Sequence, residues 1–161
     1  MSHFDENQLP EDVRDEVKKK RKDEWIEAWF AIEAMAINED VVKSSLEEHI
    51  EKMKNIKEIF IYHTDFKEVR NVKKPLRDIE EAYSQVVNLR LFVKNLPALI
   101  NTVILYGPSA IEVIGPENRK MKIEEIQNVA NIIAGVIHQF AAAGVGGIVM
   151  TPEKPRRSVN E

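Results

Sequence analysis

Residues 24–37, EWIEAWFAIEAMAI, limit the possible folds more than any other stretch of this chain. Taken in twos, Ile26, Ala28, Phe30, Ile32, Ala34 and Ala36 make one wholly apolar side. Trp25, Glu27, Trp29, Ala31, Glu33 and Met35 make the other, where aromatic and acidic residues interleave. A strand with one face on a core reads this way, because its side chains alternate across the pleat. Trp25, Trp29, Ile32 and Ala36 also fall at helical spacing, so a helix competes for the segment. Alternation accounts for every position, and a strand is therefore expected.

Punctuation orders the rest. Asn38 can cap a helix with Glu39 and Asp40 in its first turn, and Val42, Leu46, Ile50 and Met53 form its stripe as far as Asn55. Residues 56–69, IKEIFIYHTDFKEV, are β-branched and aromatic, as in a second strand. A polar stretch containing Pro75 reads as a connection. Residues 83–94, YSQVVNLRLFVK, alternate again, and Asn95 caps LPALINTVILY, with Pro97 in the first turn and Gly107-Pro108 ending it. Ala110–Ile114 supplies a fourth strand.

This βαββαβ order over residues 24–116 resembles the ferredoxin-like fold, an antiparallel four-stranded sheet with two helices on one face. The resemblance implies strand order 4-1-3-2, with strands one and three central. The fold class expected is α+β, with a charged N-terminal helix and an extra C-terminal helix. Residues 1–23 read as a charged arm, 24–150 as a single domain and 151–161 as a polar tail. Within the arm, 1–9 look loose, and Glu11–Asp23 places acids before bases, as an exposed helix with a macrodipole prefers. Lys18–Lys22 reads as a solvated helix face. Ile123–Ala143 is strongly helical, with Ile126, Val129, Ile133, Val136, Ile137 and Phe140 apolar. Gly144 suits its C-terminal cap, and Gly147–Met150 reads as a short strand.

Composition narrows the function. At 161 residues, 43% apolar and 31% charged, the chain can bury one sizeable core. A net charge of −4 gives no general attraction to nucleic acid. The absence of cysteine excludes disulfides, thiolate catalysis and cysteine-ligated metals. No apolar run reaches the ~20 residues of a membrane span, and a cytoplasmic setting is expected.

Chemistry is expected on the outer sheet face. Alternation places Trp25, Glu27, Trp29 and Glu33 there from the first strand, and Phe60, Tyr62 and Thr64 from the second. Asn88, Arg90 and Phe92 come from the third and Glu112 from the fourth. The apolar side of helix 123–143, from this chain or a neighbouring one, is the expected cover. Three readings follow: a second core layer in which Arg90 pairs Glu27 or Glu33; a small-molecule pocket; or a metal or acid–base site from Glu27, Glu33, Glu112 and His138. The candidate ligand-binding set is Glu27, Trp29, Glu33, Tyr62, Arg90, Glu112 and His138, with no catalytic residue, metal ligand or cofactor assigned. His49 and His63 read as structural or surface residues. Residues 144–147, GVGG, follow a helix and so read as a cap rather than a phosphate loop. Trp29, Tyr62 and Phe92 could stack bases, but the acids beside them oppose phosphate. The functional expectation is a non-enzymatic ligand-binding or interaction module that self-associates through a sheet edge or its C-terminal helix. A small enzyme or metal-binding protein using the carboxylate-rich face is the alternative.

Overall fold

A computed structural model describes residues 4–144. The strand expected at 24–37 is β1 (Ile26–Ala36), and it lies inside a five-stranded antiparallel sheet with β2 (Ile59–Phe66), β3 (Arg70–Leu76), β4 (Ile79–Val93) and β5 (Ala110–Gly115). The order is β2-β4-β1-β5, with β3 pairing β4. Setting β3 aside, this is the 4-1-3-2 order anticipated from the βαββαβ pattern, with β1 and β4 central.

One face carries the main core. Ile26, Ala28, Phe30 and Ile32 of β1 and Val87, Leu89, Leu91 and Val93 of β4 pack against Leu46, Ile50 and Met53 of α2 (Glu39–Lys54) and Ala98 and Leu99 of α3 (Leu96–Tyr106). Each fully buried large side chain contributes roughly 1.5–3 kcal/mol relative to exposure. The Asn38 side chain accepts from Asp40 N–H at 2.8 Å, and that of Asn95 from Ala98 N–H at 2.9 Å, which satisfies first-turn donors of both helices. Gly107 ends α3 in the left-handed region at φ 52°. His49 approaches the Tyr106 carbonyl at 3.1 Å and ties α2 to the end of α3, a structural role as expected.

The stretch around Pro75 is more ordered than a connection. It forms β3 and the start of β4, a hairpin that lengthens β4 to 15 residues. Pairing skips between Lys73 and Leu76, where Lys74 adopts φ 49° and Pro75 follows. An edge strand tolerates such a break. RNVKKPL carries little alternation, so its sequence conceals the strand.

The outer face holds a larger difference. Its cover is α1 (Glu11–Lys22), not the C-terminal helix α4 (Ile123–Ala142). Val17 of α1 is completely buried with Tyr62 and Phe92, and Phe4, Leu9, Val13, Trp25 and Phe60 pack around them. Residues 4–9 are accordingly part of the packed layer rather than a loose arm. Helix α4 packs beside α3 and has no buried residue. The segment Gly147–Met150 and the tail 151–161 lie outside the described residues.

A reversing turn puts α1 on the sheet. Trp25 N–H donates to the Lys20 carbonyl at 3.0 Å and Glu24 N–H to the Arg21 carbonyl at 3.1 Å, the two bonds of a Schellman cap. Glu24 occupies the left-handed position of that cap, at φ 57°, where glycine is usual. Replacing it relieves a left-handed conformation that is costly for a residue with a Cβ, against glycine's greater freedom when unfolded. Glu24→Gly is expected to stabilise the protein by up to about 1 kcal/mol in urea unfolding. A loss of stability would show that the turn does not hold α1 in this way.

Candidate functional site

The outer face is set by strand register. β4 places Phe92, Arg90 and Asn88 opposite Glu27, Trp29 and Ala31 of β1, and β5 places Glu112 opposite Trp29. On the other side β2 pairs Ile61 with Leu91, but His63, not Tyr62, with Arg90. That extra residue is a β-bulge. Tyr62 is buried beside Phe92 and His63 also lies on this face, while Thr64 pairs with the inward-facing Leu89. The expectation that Thr64 belongs to the outer face is thereby corrected, because strict alternation fails at the bulge.

Glu27 sits in the covered half and is 6% exposed. The Arg21 guanidinium donates from Nε to its Oε2 at 2.9 Å and from Nη2 to its Oε1 at 2.8 Å, and the Tyr62 hydroxyl donates to Oε1 at 2.7 Å. Arg21 also bonds both Glu6 oxygens at 2.9 Å. The pairing of Arg90 with Glu27 or Glu33 is therefore replaced by Arg21, which comes from the supposedly solvated basic run. Its neighbour Lys20 places its ammonium 3.7 Å from the Trp25 ring. Burial pushes the Glu27 carboxyl up, but the hydrogen bonds from Arg21 and Tyr62 outweigh this and hold it below the ordinary carboxylate range. Burial and the bond to Glu27 push the Tyr62 phenol well above its usual value.

The open half is a different environment. Glu112, Trp29, Arg90 and His63 stand side by side across β5, β1, β4 and β2. The next row is Ala110, Ala31, Asn88 and Asp65. A cavity of about 80 Å³ lies here, lined by Phe4, Trp29, His63, Asp65, Asn88, Leu89, Arg90 and Glu112. The Phe4 ring lies 4.4 Å from the Arg90 guanidinium and 4.8 Å from the His63 ring. Burial is the main cause that lowers the His63 pKa, with Arg90 and Lys67 adding to it and Asp65 opposing.

Of the candidate residues, Trp29, Arg90 and Glu112 share this cavity, and Glu27 and Tyr62 bond each other behind it. Glu33 lies further along β1, exposed, with the Ser84 hydroxyl as its partner. His138 is exposed on α4. Among the described residues no three histidine or acidic side chains converge as a metal site would need. The sequence reading missed Phe4, His63 and Asp65, and also Arg21. An acid amid the aromatics of a central strand was the available signal for Arg21, since burial obliges such a carboxylate to find a cation.

A larger cleft of about 760 Å³ lies where α3 and α4 begin. Within it Glu125 accepts from both Arg119 and the Leu96 N–H at the start of α3. The bond to Leu96 ties the start of α4 to the start of α3.

A family model described as the MJ0538 family matches residues 27–157. The chain belongs to the MJ0538 family. No curated protein and no solved structure matches it. The matched span begins at Glu27 and contains the row from Glu112 to His63, whereas Arg21 and Phe4 precede it.

Because folding lowers the Glu27 pKa, its contribution is complete above the ordinary glutamate range and disappears as pH falls through the folded value. Glu27→Gln is expected to cost about 1–3 kcal/mol at pH 7, moderated by the partial exposure of Arg21. In urea titrations the gap from wild type should narrow below about pH 4. A gap that stays constant into acid would remove the charge from the explanation.

Proposed function

We propose that the protein is a non-enzymatic interaction module that works as a homodimer, joined through α4. One observation carries this reading. In a 20-residue helix, Ile126, Ile133, Ile137 and Phe140 are 53%, 48%, 57% and 55% exposed. With Ile123 and Ala130 they follow spacings of three and four along the helix, as a coiled-coil seam does. A different line of residues, Val129, Ile132 and Val136, is half-buried on the same helix. Helix α4 therefore has two apolar lines, and no described residue buries the seam. Short helices draw most of their stability from such burial, so a seam of this length calls for a partner.

The partner best fitted to it is a second copy. From Ile126 to Gly144 the chain carries no Asp, Glu, Lys or Arg, so nothing on the seam selects a charged partner or opposes self-pairing. At on the order of 100 Å² for each half-exposed large side chain, the seam supplies several hundred Å². Leu105 of α3 and Val113 of the edge strand β5 are also exposed and can extend it towards the ~800 Å² per partner of a stable interface.

Sedimentation velocity across the micromolar range is expected to show a dimer. The Ile133→Glu, Ile137→Glu double variant should be a monomer with unchanged circular dichroism. A wild-type monomer at every concentration, or a dimer untouched by both charges, would overturn the reading.

A further inference from the structure

The open half of the outer face has the composition of a binding site that the dimer reading does not use. Its cavity of about 80 Å³ is large compared with one water, which occupies about 30 Å³ in the liquid, and small compared with the pockets of ~300 Å³ or more that take drug-sized ligands. It therefore admits a molecule of only a few heavy atoms. The walls carry both signs of charge, Arg90 against Glu112 and Asp65, with the indole of Trp29 between Arg90 and Glu112 and the Asn88 amide beside them. A simple anion would meet two carboxylates there, and a simple cation would meet a guanidinium.

We infer that this cavity binds a compact zwitterion of the size of glycine or alanine. Arg90 takes the carboxylate. Phe4 stacks on the guanidinium face, and stacking of this kind leaves the in-plane N–H donors for a planar anion. Arg21 holds Glu27, and Arg90 spends one donor on the Tyr62 oxygen, whose proton goes to Glu27, so its remaining N–H groups are left for the anion. Glu112 takes the ammonium, with the Trp29 ring as its cation–π surface. Arg90 and Glu112 stand two strands apart, about 10 Å between backbones, on either side of Trp29, which keeps the opposite charges from pairing directly. Asn88 supplies an amide for either end, and Asp65, already bonded to Lys67, adds negative potential at the β2 side.

Titration calorimetry of the full chain with glycine, alanine, acetate and methylamine tests this. Saturable binding of glycine or alanine is expected, with acetate and methylamine each at least tenfold weaker. Arg90→Gln and Glu112→Gln should each weaken the amino acid at least tenfold. Glu112 is exposed on an edge strand, so its variant keeps the fold. The inference is overturned if neither amino acid binds. It is equally overturned if acetate or methylamine alone binds as well, or if Glu112→Gln binds like wild type.

Discussion

The carboxylate of Glu27 lies on a central strand, beneath a helix and among aromatic rings, and the outer layer is arranged around that fact. Left alone there it would have to be protonated or exposed. Arg21 resolves this with two hydrogen bonds, and it can do so only because α1 reverses at Glu24 and returns over the sheet. The same guanidinium grips Glu6, which fixes the segment that carries Phe4 over Arg90. Since Arg21 is 43% exposed, solvent screens much of the attraction. The pair does more to specify where α1 docks than to add net stability, because a dry apolar replacement could serve stability as well.

The reach of α1 then divides the outer face. Twelve helical residues extend about 18 Å, whereas the eleven residues of β1 extend about 36 Å. One helix can dry only about half of such a sheet. The half beneath Val17 is a small core of Tyr62 and Phe92, and the half beyond it keeps Trp29, Arg90 and Glu112 partly in water. The cavity lies in the part of the face that this shortfall leaves uncovered. The polar character of that half is consistent with the shortfall, for an apolar surface there would have needed a longer α1.

Where structure follows from short-range periodicity, the residues disclose it. The alternation of β1, the caps at Asn38 and Asn95, and the stop at Gly107 all sit where the sequence places them. Three features escape, each for a local reason. α1 has only Val13 and Val17 as apolar residues, so a helix with a buried side resembles a solvated one. The bulge at Tyr62 changes the facing of His63 and Thr64 with no glycine or proline to mark it. In β3, charged residues and Pro75 remove the period-two signal from a strand that needs little burial at the sheet edge. The candidate site was accordingly half legible: Trp29, Arg90 and Glu112 follow from alternation, but Phe4 and His63 depend on the layer above and on the bulge.

Helix α4 shows the limit of amphipathic reasoning in another form. Periodicity reports that a helical face belongs out of water, and it does not report what removes it. The seam from Ile123 to Phe140 suited the uncovered sheet face equally well, until α1 proved to occupy that position. With α1 in place, α4 is held on the opposite, helical side of the sheet, beside α3 and latched through Glu125. A second chain meeting the seam would thus leave the row from Glu112 to His63 open. On the readings proposed above, assembly through α4 and recognition at the cavity would use opposite sides of the sheet, with β1, which lines both the main core and the cavity, between them.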